Sequence, residues 1–237
     1  MFPLAQLASQ FEWFILAISV WQNHREEILR AISSIVAVVA ILGAGAADAA
    51  WSEHPYKDLG FVVEFPNPPV SSGGNYKTQL VTSAPVHIYS QKQDNALFIA
   101  SVTDLQAQSG EGASLMTEAE FNLSLLGEIK GNSTSRVEPG KDAVFGRFIT
   151  IDCKKGRVPD QPGQDAAAQA WFKGATGVDC PDSSRLTVNL FFHRGRMYMI
   201  SGINLPGASA GPAALRFANS ISFFRADGTR NAADGAQ

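Results

Sequence analysis

The stretch RLTVNLFFHRGRMYMISGINLPG, Arg185–Gly207, decides the fold. Two apolar runs flank a knot of charge: His193, Arg194, Gly195 and Arg196. Before the knot, Leu186, Val188, Leu190 and Phe192 alternate with Thr187, Asn189, Phe191 and His193; after it, Met197, Met199, Ser201 and Ile203 alternate with Tyr198, Ile200 and Gly202. This period of two is that of β-strands. Folding back about Arg194-Gly195 sets Phe192 against Met197 and Leu190 against Met199, which gathers one apolar set on one face. Gly195 supplies the positive φ that such a turn needs. Burying each of those side chains contributes roughly 1.5–3 kcal/mol, so the pattern fixes the register. The charged knot is thereby expected to be a solvated hairpin tip, kept wet by Arg194 and Arg196, which also discourage association through a sheet edge.

Upstream of the hairpin the alternation stops. Residues 154–183 hold Gly156, Pro159, Pro162, Gly163, Gly174, Gly177 and Pro181, and form an insert in which DAAAQAWF supports a short helix. Its large apolar groups are Trp171 and Phe172. They either pin the insert to the body or offer a contact to a partner. Cys153 and Cys180 are the two cysteines, and each stands beside one of the flanking strands, FGRFITIDC and RLTVNLFF. In an oxidising compartment an even count reads as a bridge. If those strands pair, the bridge pinches the base of the insert and contributes roughly 3–4 kcal/mol in the chain-entropy model.

Further upstream, GFVVEF is a short strand stopped by Pro66, Pro68 and Pro69. KTQLVT is a candidate strand, and VHIYSQ (86–91) and ALFIASVTDL (96–105) form a hairpin around Lys92-Gln93-Asp94-Asn95. Between Ser114 and Lys130 the period changes to that of a helix: Thr117 and Glu120 have the capping-box spacing, and Phe121, Leu125 and Ile129 recur every four residues, with Leu126 widening the stripe. GNSTS, with Gly131, ends that helix, and strands resume at SRVEPG and DAVFGRFITIDC. Downstream, GPAALRFANSISFF reads as a short helix with Pro212 in its first turn, and residues 225–237 read as a disordered polar tail.

The first 49 residues differ from the rest. Ala31–Ala47 carries no charge, Arg25 and Arg30 precede it, and Ala47-Asp48-Ala49 has the small-x-small pattern of a signal-peptidase site. These features predict a leader removed between Ala49 and Ala50. A retained anchor is the alternative, since 17 residues lie at the short edge of the roughly 17–25 a spanning helix needs. Residues 1–24, with an apolar FEWFILAISVW broken by Glu12, fit a mis-assigned start. The protein is therefore expected outside the cytoplasm, periplasmic or secreted, or else anchored in the inner membrane with its domain outside. Removing Arg25, Arg30, Glu12, Glu26, Glu27 and Asp48 from the 19 basic and 22 acidic side chains leaves 17 and 18 in residues 50–237. Such a near-neutral domain has no basic stripe for nucleic acid.

No standard catalytic motif occurs, and His24, His54, His87 and His193 are scattered without ligand spacing, so neither a metal nor a cofactor is expected. An unrecognised hydrolase would need His193 as base, oriented by Asp152. His87 shares a strand face with Tyr89 and reads as packed or surface-paired.

Several pieces align with one known pattern. Phe65-Pro66 with Pro69 closes an early strand, Arg196-Met197-Tyr198 opens the second strand of a strand–Gly–strand hairpin, and Ser222-Phe223 ends the chain's last short helix. Over about residues 58–224 the chain resembles the PsbP-like domains of exported bacterial proteins. The resemblance implies an α+β sandwich: a central antiparallel sheet with helices packed on its faces, after a hydrophobic leader. The order of elements suggests the same class. Relatives of that fold include an extrinsic photosystem subunit and a nuclear-import factor that binds a small GTPase, both acting through protein contacts. The expected organisation is a leader (1–49), one domain (50–224) carrying the 154–183 insert, and the tail (225–237). The expected function is a non-enzymatic interaction or accessory domain with an unknown protein partner in the cell envelope, touching membrane only through an uncleaved leader. The alternative is a small-molecule binder with its pocket between sheet and insert.

Overall fold

The computed structural model describes residues 51–105, 112–137, 143–154, 163–207, 211–225 and 227–230, all within the second of the chain's two units, Ala50–Gln237. The leader and its Ala49–Ala50 junction lie outside the described residues.

The chain first makes β1 (Ser52–Tyr56), a 3-10 turn (Lys57–Leu59), β2 (Phe61–Phe65), β3 (Val70–Tyr76), β4 (Ala84–Gln93) and β5 (Ala96–Asp104). Helix α1 (Gly112–Ser124), β6 (Gly127–Val137), β7 (Val144–Cys153) and α2 (Gln164–Thr176) follow. The chain closes with β8 (Arg185–His193), β9 (Arg196–Asn204), α3 (Pro212–Ala218) and β10 (Ser222–Phe223). All pairings are antiparallel: a seven-stranded sheet in the order β3-β4-β5-β9-β8-β7-β6 and a three-stranded sheet in the order β1-β2-β10.

The β8–β9 hairpin has the register its alternation predicts: Leu190 faces Met199, Phe192 faces Met197, and the turn Arg194-Gly195 has positive φ at both positions (50° and 72°). Strand β9 lies at the middle of the large sheet and is buried from Met197 to Asn204. Leu186, Val188, Leu190, Met197 and Met199 point into one core, where Leu115, Ala119 and Leu123 of α1 and Ala168, Trp171 and Phe172 of α2 cover them. Phe191, Tyr198 and Ile200 point into a second core with Phe61, Val63 and Phe65 of β2, Phe217 of α3 and Phe223 of β10. The large sheet is thus a middle layer with apolar side chains on both faces. Sequence alternation records this as two apolar sets rather than as apolar against polar.

Close backbone approach sets where two helices lie. A Cβ on Gly74 of β3 would collide with the carbonyl oxygen of Gly174 in α2, and one on Gly174 would stand 2.6 Å from the Asn75 carbonyl oxygen. On the other face a Cβ on Gly202 would be 2.5 Å from the Ala214 carbonyl oxygen in α3. Only glycine admits both contacts.

Several sequence expectations are corrected. Helix α1 starts earlier and ends earlier than its apolar stripe suggested: Phe121 is 55% exposed, and Ile129 lies in β6 at 38%. The helix buries Leu115, Ala119 and Leu123 instead, a stripe of the same spacing rotated on the cylinder. Thr117 is internal and its hydroxyl donates to the Ala113 carbonyl, so it caps nothing. Gly131 ends no helix; it follows the register shift after Ile129 in β6. KTQLVT is a loop closed by Thr78, whose N–H donates to the Val81 carbonyl and whose hydroxyl accepts from the Leu80 and Val81 N–H groups; the edge strand is the preceding VSSGGNY. The tail is structured at its start: Phe224 bridges Arg230, and Arg230 grips Glu53 at 2.6 and 2.7 Å. No helix among the described residues is long and apolar enough to cross a membrane.

Candidate functional site

The insert is anchored by the disulfide and by α2. Cys153 ends β7, Cys180 precedes β8, and the two are bonded with a Cα–Cα separation of 6.1 Å. The bridge joins the end of β7 to the segment leading into its paired strand β8, and so closes the base of the insert as expected. Trp171 and Phe172 are 6% and 0% exposed, and the Trp171 ring meets Tyr76 at 6.1 Å. They pin the insert and present no tip to a partner. Ala168, Phe172 and Ala175 pack the space between α2 and the sheet, so the described part of the insert meets the sheet through core.

His193 and Asp152 are not brought together. Asp152 stands opposite Arg185, at the other end of β8 from His193. At ~3.3 Å per residue that is about 26 Å. The Arg185 guanidinium grips Asp152 through Nε at 2.7 Å and Nη2 at 3.1 Å, and Lys130 lies 3.8 Å from the same carboxylate. The hydrogen bonds and charge of Arg185 hold Asp152 below the usual carboxylate range. The His193 ring packs on Phe223, with centroids 5.0 Å apart, and burial plus the Arg194 charge hold it below the usual imidazole range. His87 is exposed on β4. Among the described residues no group of three or more His, Cys, Asp or Glu is placed to hold a metal ion.

The charged knot is a hairpin turn, but it is not simply a wet tip. It forms one wall of a cavity of about 270 Å³. The hairpin contributes His193, Arg194, Arg196 and Tyr198; the turn after β1 contributes Lys57, Asp58 and Gly60; the segment after β10 contributes Phe224, Arg225 and Gly228. These three segments are stitched together through backbone carbonyls. Gly60, at φ +81°, reverses the chain and donates its N–H to Tyr56 and Lys57. That leaves the Leu59 carbonyl free to accept the Tyr198 hydroxyl at 2.8 Å and the Asp58 carbonyl to accept Arg196 Nη1 at 3.1 Å. Arg194 Nη1 donates to the Phe224 carbonyl at 3.3 Å, and the Phe224 N–H donates to Gly60 at 3.0 Å.

This bonding leaves charge uncompensated. Elsewhere arginines meet carboxylates: Arg147 with Glu120, Arg185 with Asp152, Arg216 with Glu64 and Arg230 with Glu53. Lys57, Arg194 and Arg196 make no ion pair with a carboxylate among the described residues, and the buried Arg196 Nε has no hydrogen-bond partner there. These three cations line the cavity against the one lining carboxylate of Asp58; Arg225, which also lines it, acts on Asp227. That carboxylate also acts on the Tyr89 hydroxyl, which burial and then Asp58 push above the usual phenol range. Asp104, opposite Arg196 across β5 and β9, and Asp227, bonded to Thr229, flank the cavity without lining it. The site can hold an anion by charge and by directed N–H donors.

The two arginines were visible in the sequence as a knot; Lys57 and Arg225 were not associated with it, because each comes from a distant segment. Compared with known proteins, the chain matches no family model and no curated sequence.

Proposed function

We propose that this chain is an exported, PsbP-like accessory domain that works by binding, not by catalysis, and that its working face is the basic end of the β8–β9 hairpin. The carrying observation is the cavity there, where arginines are positioned by backbone carbonyls instead of being neutralised by carboxylates. Fixed, uncompensated cations attract and orient an anionic partner group, and they raise association rate and specificity. The resemblance over residues 58–224 supports the same reading, because that fold acts through contacts; fold alone does not decide function. The leader supports export, with an unknown protein partner in the cell envelope.

Site-specific photocrosslinking in the native host tests this reading. A photoreactive residue at Arg194 is expected to give a discrete adduct, suppressed when Lys57 is changed to Gln, while the same probe at Phe145, an exposed site on β7, gives none. Equal labelling from both sites, or none from Arg194, contradicts it. N-terminal sequencing from the same cells is expected to begin at Ala50.

A further inference from the structure

We propose that the anionic group held in the cavity at Lys57, Arg194, Arg196 and Arg225 is a phosphoryl group. This deepens the binding reading above and rests on it. Three observations carry the choice. First, the cations that line the cavity come from three separate segments: Lys57 from the turn after β1, Arg194 and Arg196 from the hairpin, and Arg225 from beyond β10. Several separate cations around one cavity suit an oxyanion with three free oxygens; a planar carboxylate is satisfied by one arginine fork. Second, Lys57, Arg194 and Arg196 against the one lining carboxylate of Asp58 match a group of more than one negative charge. Third, the buried Arg196 Nε is a donor left over after its Nη1 bonds the Asp58 carbonyl. A buried charged donor without an acceptor is costly, and an oxyanion removes that cost.

Size narrows the ligand further. A cavity of about 270 Å³ lies just below the roughly 300–1,000 Å³ range of drug-sized ligand pockets. It has room for a phosphoryl group and part of the molecule that bears it. Tyr198, Phe224 and the His193 ring give the cavity an apolar side. A soluble phosphomonoester and a phosphomonoester lipid headgroup share this chemistry.

The test is calorimetric titration of the purified full chain with inorganic phosphate at constant ionic strength, with glutarate as a dicarboxylate comparison. Sedimentation with phosphatidylcholine vesicles, with and without phosphatidic acid, distinguishes the source. Variants are the double change Lys57→Gln with Arg194→Gln, both at surface positions, and Arg216→Gln, which removes one positive charge from the Glu64 pair elsewhere. Saturable phosphate binding that weakens tenfold or more in the double variant and is unchanged in Arg216→Gln supports the inference. Co-sedimentation with phosphatidic acid then points to a lipid headgroup, and its absence to a soluble phosphoester. Glutarate binding without phosphate binding overturns the phosphoryl assignment and leaves the basic working face standing. If neither anion binds, or if all variants bind phosphate equally, the phosphoryl assignment falls, while the working-face reading is decided by the crosslinking at Arg194.

Discussion

The two ends of strand β8 carry the same residue type in opposite roles. At its start Arg185 is locked to Asp152 by two hydrogen bonds, beside Lys130, and next to the Cys153–Cys180 bridge. Just past its end, Arg194 and Arg196 are held by carbonyls of Phe224 and Asp58, and they face a cavity with Lys57 and Arg225. One end meets its charge with a carboxylate; the other holds its charge by carbonyls beside the cavity. The difference shows that an arginine's role is set by what holds it. A carboxylate partner makes it structural, whereas a carbonyl fixes its direction and leaves its charge intact.

The change with the largest expected effect breaks both ends at once. Phe191 is fully buried under Phe223, between the two groups of arginines. Phe191→Ala is expected to cost about 3–5 kcal/mol of unfolding free energy in urea denaturation, from lost burial and the cavity left behind. The next breaks only the closed end. Replacing Cys153 and Cys180 by Ser is expected to lower stability by roughly 3–4 kcal/mol in the chain-entropy model, while phosphate affinity at the other end stays unchanged below the new midpoint. A parallel loss of affinity would show that the two ends are not independent.

These contrasts also explain how much was legible in the sequence. The β8–β9 register was readable because alternation is local and a slip by one residue would turn every apolar side chain to the wrong face. The disulfide was readable because its two cysteines flank strands that pair. Helix α1 was readable as a helix but not in its bounds or rotation: of Phe121, Leu125 and Ile129 only the exposed Phe121 lies on it, and the buried stripe of the same spacing is Leu115, Ala119 and Leu123. Only packing against the sheet chooses between two such stripes. Strand β3 was missed because its Ser-Ser-Gly-Gly-Asn carries no alternation; Gly74 is there to admit the α2 backbone, a requirement visible only in three dimensions. The cavity was missed for a similar reason: the Arg196 contact to Asp58 spans 138 positions in sequence.

Two smaller effects sharpen the comparison. Asp152→Asn removes the clamp on Arg185. Both side chains are more than a third exposed, so solvent screening limits the expected loss to about 0.5–1 kcal/mol, measured in the same urea titrations. It leaves phosphate affinity unchanged, whereas Arg194→Gln does the reverse. The smallest effect is a pH slope. Burial and Arg194 depress His193 in the folded state, so the unfolded chain binds that proton more tightly. Its contribution to stability is fully present above the ordinary imidazole value of 6.5 and is lost as pH falls through the lower folded value. His193→Gln is expected to flatten the fall in thermal midpoint between pH 7.5 and 5.5, and to leave the slope that His54, also depressed by burial, contributes. An unaltered slope would mean that His193 titrates alike in both states.

The most direct measurement is an amide chemical-shift titration of the isotopically labelled protein with inorganic phosphate at constant ionic strength. The account predicts saturable shifts at Lys57, Gly60, Arg194, Gly195, Arg196 and Gly228, with none at Asp152 or Arg185. Shifts of equal size at both ends of β8, or none at Arg194–Arg196, would contradict it.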